Sequence, residues 1–478
     1  MTKRWWKLLA VLTVFALVVA ACSGDSADDT EAPDETEAPA ATEAPAETEA
    51  PADDEPMDDE EPMDDEEPMD DMVDLAGTSV TVAGPESTDA EAGGFIAAME
   101  ALSAETGIEI TYAGSRDFSD NINAQVQGGN APDIGIIPQP GKIADFAANE
   151  YIFPLPDSVQ AAVNEYWGAF TSFVTVDGTL VAVPNKADLK SLVWYQPAQF
   201  AANGYDIPQT FDELVALTNQ MIADGNTPWC VGIESGGATG WAFTDWVEDM
   251  TLRVEGPEYY DSWVAGETPF SDPGMQAIWT TILDLWNTPG AVFAAGGTIA
   301  ATAFGANGDP LVAGDCLMHR QASFFSAFFP DGTPVADGSD GAVDVFYFPP
   351  VGDERPVLGA GTAAVAFRDA PEVWAVMEYM ATPEFANLRQ AAQAEILGGG
   401  GVNSGFLSAA QGVDLTLWND FEQNLISILL NADVFRFDGS DLMPAAVGAG
   451  SFWSEGTSAV NGDKSVEDAT AAIDATWP

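Results

Sequence analysis

Apolar and polar positions change period repeatedly between Ser79 and Glu150. "SVTVAG" (79–84), "IEITYAG" (108–114) and "PDIGII" (132–137) carry the short apolar or alternating runs of strands. Each is followed by a helical pattern: "DAEAGGFIAAMEALSAETG" (89–107), "FSDNINAQVQGG" (118–129) and "GKIADFAANE" (141–150). Asp89 stands near the N-cap of the first, Gly107 closes it, and Gly128 closes the second. This β-α-β-α-β-α order predicts a parallel, doubly wound sheet with a ligand crevice at the carboxyl ends of its strands. The loops that matter are then "GPEST" (84–88), "GSRDF" (114–118) and "PQPGK" (138–142).

Farther on, "FVTVDGTLVAVP" (173–184) reads as a ribbon turning at Asp177-Gly178, and "SLVWYQP" (191–197) as a strand entering a second region. Helical patterns follow in "FDELVALTNQMIADG" (211–225), "WAFTDWVEDMTLR" (241–253) and "GMQAIWTTILDLWN" (274–287). Strand-like "WCVGIE" (229–234) and "DCLMH" (315–319) lie among them. Then "AVDVFYFPPV" (342–351) and "AGTAAVAF" (360–367) return to strand character. "APEVWAVMEYMA" (370–381), "TPEFANLRQAAQA" (382–394) and "LTLWNDFEQNLISILLNA" (415–432) are helical, with "GGGG" (398–401) between the last two. Trp279 and Trp286, seven apart on one helix, read as core, and Trp374 lies on an amphipathic helix.

The chain start changes the picture. Lys3, Arg4 and Lys7 precede an apolar run, "LLAVLTVFALVVAA" (8–21), that is short for a membrane span and suited to a signal peptide. It ends in "VAAC" (19–22), which resembles a lipobox, so Cys22 is expected to be the lipidated first residue of the mature protein. Residues 23–74 hold 24 Asp and Glu and no Lys or Arg, in tracts that repeat every six residues. Such a segment buries too little apolar surface to offset its ordering entropy, and its like charges repel. A tether is expected.

The whole chain carries a formal charge of −63. Nothing basic is available to neutralise phosphates, so no nucleic-acid partner is expected. With Cys22 lipidated, Cys230 and Cys316 remain, and outside the cytoplasm two cysteines read as one disulfide. "CLMHRQASFF" (316–325) also contains the single histidine, His319, but no nucleophile constellation accompanies it. Zinc would need several His or Cys ligands, and no EF-hand spacing occurs, so neither metal nor cofactor is expected. A carboxylate-based glycoside hydrolase is the enzyme alternative, with pairs such as Asp245 and Glu248 or Asp249.

Several motifs together resemble the extracellular solute-binding lipoproteins of ABC sugar importers. They are the lipobox, "TGIEITY", "DFSDNINAQVQGGNAPDI", "VAVPNKADLKSLVWYQP", "IPQTFDELVALTNQM" and "LMPAAVGAGSFW". "PQPG", "WCVGIESG", "TDWVED" and "MHRQASF" are similar to the α-glucoside-binding branch. The resemblance implies a periplasmic-binding-protein-like α/β fold, two lobes joined by a multi-crossing hinge, with a carbohydrate held between them. It also implies delivery to the importer's transmembrane subunits by a monomer that is lipid-anchored on the outer side of the cell membrane. Mapped here, lobe 1 would be 76–190 and 342–400, and lobe 2 would be 191–341 and 401–478, with Gly398–Gly401 at a crossing. A surface glycan-binding adhesin is the other alternative.

Sugar sites combine flat apolar faces with polar side chains that pair with hydroxyls. Trp241 at a loop-to-helix entry and Trp453 in "GSFW" are the expected stacking residues. Glu86, Ser87, Asp117, Gln139, Asp245 and Arg320 are the expected polar contacts, with Gln321 beside Arg320. "GPEST" departs from the pattern of many relatives in lacking an aromatic residue. For the anchor, Cys22→Ser is expected to release the protein from membranes or block its processing. Wild-type fractionation and maturation of that variant would contradict the lipobox reading.

Overall fold

The computed structural model describes residues 74–398 and 403–478, all within one compact unit, Asp71–Pro478. The signal-like run, Cys22, the acidic tracts and Gly399–Gly401 lie outside the described residues. Among those described, no helix is long and apolar enough to cross a membrane.

Two sheets organise the unit. In the first, Ser79–Gly84 lies between Glu109–Gly114 and Ile134–Ile137, all parallel. Val357–Ala366 extends this sheet antiparallel to Ile134–Ile137, and itself pairs with Val183–Leu189 and Phe435–Phe437. All four residues of Ile134–Ile137 are buried, as expected of a strand covered on both faces. The helix Asp89–Thr106 opens at Thr88, whose N–H donates to the Glu91 carboxylate at 3.3 Å, and stops at Gly107, where φ is 75°. The ribbon forms as Thr175–Val176 and Thr179–Leu180, with positive φ at both Asp177 and Gly178.

The second sheet has the order Asp344–Tyr347, Leu192–Tyr195, Met318–Arg320, Trp229–Cys230, Val292–Phe293. Its core is aromatic: Trp246 meets Trp229 at 5.2 Å and Trp286 at 5.5 Å between ring centroids, and Trp279 is fully buried. Trp374 packs, partly buried, against the other core.

Two segments sit with the opposite sheet from the one the sequence motifs led us to expect. Asp344–Tyr347 hydrogen-bonds to Leu192–Tyr195, so the switch falls after residue 347, not at 342. Phe406, Leu407, Trp418 and Leu425 join the first core and Phe435–Phe437 joins the first sheet, so the described residues on both sides of Gly398 stay with the first lobe. The crossings are instead at Lys190–Ser191, between Tyr347 and Val357, and after Phe437.

All three are fastened to one helix, Trp241–Val254, which is buried from Ala242 to Arg253. Asp245, Glu248, Asp249 and Arg253 share a face by their i, i+3, i+4 and i+8 spacing. Asp245 takes the Lys190 ammonium at 2.7 Å, and Asp249 accepts from Ser191 Oγ at 2.8 Å. Arg253 donates to the Phe348 carbonyl at 2.9 and 3.1 Å. Glu248 accepts from the N–H groups of Gly439 and Ser440 at 2.8 and 3.0 Å. Ser191 Oγ also accepts from Leu358 N at 2.9 Å, tying the first crossing to the second.

Cys230 and Cys316 form a disulfide with a Cα separation of 5.4 Å, joining segments 86 residues apart beside the paired residues Trp229 and Met318. Mapping of non-reduced peptides is expected to recover this link. Replacing both cysteines by Ser should lower stability by up to about 4 kcal/mol while changing ligand affinity little. Free thiols at both positions after oxidative folding would refute the pairing.

Candidate functional site

The loops after the three parallel strands converge on one interlobe cavity of about 900 Å³, its mouth included. Pro85 and Glu86 come from the first loop, Arg116 from the second, and Pro138 and Gln139 from the third. Lys186 and Asp188 come from the strand that leads into the first crossing, Lys190 from that crossing, and Asp438, Ser440 and Asp441 from the third.

The second lobe contributes aromatic faces. Trp241, Phe304, Phe324 and Trp453 all line the cavity. Trp241 meets Phe304 edge-on at 4.9 Å and Phe324 at 6.0 Å, so its ring is held by packing before any ligand arrives. Trp453 follows a π-helical turn, Val447–Phe452, and its indole N–H reaches Ser440 Oγ at 3.4 Å. That turn, one residue wider than an α-helical turn, sets Trp453 toward the cavity while Phe452 enters the core.

Most of the charged groups around the cavity are paired within the protein. Burial alone would raise the Glu86 carboxyl, but the Arg389 and Lys186 cations, at 2.8 and 2.9 Å, hold it below the usual range. Burial would likewise strip Lys190 of its proton; the carboxylates of Asp245 and Asp438 instead hold its pKa well above normal. Burial pushes Asp245 up to about 6 against the pull of Lys190. Glu248 and Asp441 lie well above the ordinary carboxyl range, through burial and then the facing Asp438. Asp245, Glu248 and Asp438 bring one carboxylate oxygen each within 4.8 Å of one another, a spacing suited to a cation. Lys190, bonded to both aspartates, already supplies that charge.

Two buried acceptors on the cavity wall have no hydrogen-bond partner, Gln139 Oε1 and Asp188 Oδ1. A buried polar atom left unpaired costs on the order of 1–3 kcal/mol, so these atoms favour a ligand that brings donors. Among the expected contacts, Glu86, Gln139, Trp241 and Trp453 are brought together at the cavity. Ser87 is exposed on the approach to the first helix, and Asp117 faces a neighbouring space. Asp245 and Arg320 do not line the cavity. They lie beneath it, fully enclosed, with Arg320 donating to Asp249 at 2.8 Å and lying 3.3 Å from Asp245. Gln321 is buried as well, its Oε1 accepting from Ala322 N. The pair Asp245 with Glu248 or Asp249, offered for hydrolysis, is likewise shut away from the cavity. Phe304, Phe324, Lys186, Asp188 and Asp438 were not anticipated. The motif "VAVPNKADLKSLVWYQP" holds Lys186 and Asp188, and "MHRQASF" ends at Phe324, but neither singled those side chains out.

Two α/β lobes closing on a cleft of aromatic faces and paired charges define a binding protein of the periplasmic type. Residues 87–387 match the family model described as bacterial extracellular solute-binding protein, and the chain belongs to that family. It is 38% identical over 424 residues to an alpha-glucosides-binding periplasmic protein of Rhizobium meliloti, covering 84% of this chain and 88% of that one. It is also 38% identical over 398 residues to an osmoprotective compounds-binding protein of Synechocystis, covering 80% and 88%. A solved chitin oligosaccharide binding protein superposes with a TM-score of 0.69 at 17% identity, over 83% of this chain and 97% of that one. A maltose-bound protein of T. maritima gives 0.62 at 19% identity, over 83% and 98%. At such identities the superpositions speak for the fold.

His319 lies under this site, its Nδ1 2.9 Å from the Cys230 carbonyl and its pKa pushed by burial from 6.5 down to about 4. The unfolded chain therefore takes up the proton first as pH falls. The stability carried by the neutral ring is present above about pH 6.5 and is lost as pH drops through about 4. Measured against His319→Gln, which cancels the other titrations, the wild-type advantage is expected to shrink by about 3 kcal/mol between pH 7 and pH 4. Equal pH slopes in urea unfolding would show that the ring is not buried neutral.

Proposed function

We propose that this protein captures a neutral carbohydrate, an α-glucoside or short oligosaccharide, in the interlobe cleft and delivers it to an ABC importer. On this reading Cys22 carries the lipid that holds it at the outer side of the cell membrane. The observation that carries the proposal is the opposition of aromatic faces, Trp241 and Trp453 with Phe304 and Phe324, to Gln139 Oε1 and Asp188 Oδ1, acceptors that receive no hydrogen bond. Pyranose rings offer C–H faces to the first set and hydroxyl donors to the second.

Neutrality of the ligand follows from the charge pairing. Glu86, Glu91 and Lys190 are each matched by a partner within the protein, so an ionic ligand would have to compete with those pairs. The likeness to the alpha-glucosides-binding relative supports a glucoside. The equal identity to the osmoprotective compounds-binding relative supports, as a second reading, a small neutral osmoprotectant in the same cleft.

Calorimetry over a panel of α-glucosides, oligosaccharides and neutral osmolytes separates the two. Trp241→Ala and Trp453→Ala are each expected to cost about 2 kcal/mol or more of binding free energy with the cognate compound. Trp279→Ala, in the core, should instead destabilise the fold by about 3–5 kcal/mol. Unchanged affinity in both cavity variants would overturn the site.

A further inference from the structure

The main cavity does not end at Arg116. Beyond it lies a second interlobe space of about 860 Å³, mouth included, which shares Arg116, Ser235 and Phe304 with the first. Its own walls include Asp117 from the first lobe and Glu234, Ala306 and Phe328 from the second. The Arg116 guanidinium stands between the two spaces, 5.4 Å from the ring centroids of both Phe304 and Phe328 and 2.5 Å from Glu91. Phe304 and Phe328 meet at 5.1 Å, and Phe328 stacks on the buried Phe325 at 5.5 Å. The aromatic wall is therefore fixed.

The chemistry of the second space repeats that of the first: aromatic faces, carboxylates from both lobes, and the planar Arg116 cation on the wall of both chambers. The Asp117 carboxylate makes no side-chain hydrogen bond or ion pair among the described residues, and Glu234 spends one oxygen on Gly236 N at 2.8 Å. Both acids retain acceptor capacity for hydroxyls. The backbone on that side is cut to fit. A Cβ on Gly236 would stand 2.5 Å from Asp117 Oδ1, so the lobes approach there as closely as glycine allows.

Resting on the carbohydrate reading above, we propose that this side chamber is a second saccharide subsite. A ligand of two or more rings runs from the Trp241–Trp453 cavity past Arg116 to the Phe328 wall, and the protein selects such ligands over single rings. An entry vestibule filled with solvent would instead be indifferent to ligand length.

The test uses the full-length protein with methyl α-glucopyranoside, maltose and maltotriose in titration calorimetry. Wild-type affinity is expected to rise at least tenfold from the single ring to the longest ligand. Ala306→Trp, which fills the side chamber from an exposed position in the turn Phe304–Asn307, should abolish that rise. It should leave the methyl α-glucopyranoside affinity within twofold. Phe328→Leu, which keeps bulk but removes the ring, is expected to show the same selective loss. Equal losses for all three ligands, or a wild-type affinity flat with length, would overturn the subsite while leaving the carbohydrate reading intact. Binding of none of the three would overturn both.

Discussion

The ammonium of Lys190 is the point on which the molecule turns. It sits at the first crossing between the lobes, bonded to Asp245 of the second-lobe helix and to Asp438 at the third crossing. A buried cation is tolerable only because two carboxylates face it, and those carboxylates are tolerable only because of the cation. Removing one member of such a cluster leaves uncompensated buried charge, at about 3–5 kcal/mol. The same helix face then fastens the other segments, through Glu248 to Gly439 and Ser440 and through Arg253 to Phe348. The lobes are thus hinged about a polar axis whose hydrogen bonds fix direction. Apolar packing alone would let the crossings slide.

That axis also explains why the cleft suits an uncharged ligand. The charges that line it are already engaged: Glu86 by Lys186 and Arg389, Glu91 by Arg116, Lys190 by its aspartates. Each lining charge can still lend a spare lone pair or proton to a hydroxyl without losing its partner. A charged solute would have to compete with those pairs. The acceptors left without a hydrogen bond are the neutral Gln139 oxygen and Asp188 Oδ1, the latter 3.7 Å from the Lys186 ammonium.

Part of this was legible in the chain. The parallel βαβ order placed "GPEST", "GSRDF" and "PQPGK" at one end of a sheet, and Glu86, Arg116 and Gln139 do meet there. Trp241 and Trp453 were legible from their positions at helix entries. Asp245 and Arg320 were misplaced because periodicity reveals that a helix has a polar face, not what that face looks at. Here it looks at the crossings. Phe304 and Phe324 lie in 3₁₀ turns with no periodic signal, so their approach to the cavity depends on contacts distant in sequence. The lobe boundaries slipped for a related reason. Asp344–Tyr347 and Phe435–Phe437 are short strands whose sheet is decided by pairing with partners about 80 to 150 residues away.

The segment Cys316–Phe325 shows how the pieces are coupled. Its cysteine is bonded to Cys230, and its histidine is aimed at the carbonyl of that same residue, so its start is fixed to the central strands of the second sheet. Arg320, two residues past Met318, enters the charged axis through Asp249 and Asp245. Ser323 Oγ then accepts from Leu189 N at 3.1 Å, across to the first sheet, and Phe324 emerges in the cavity. Within ten residues the chain passes from covalent staple to hinge to ligand wall. This concentration of reactive-looking side chains is accounted for by mechanics: each is spent on holding a strand, a charge or a ring in register.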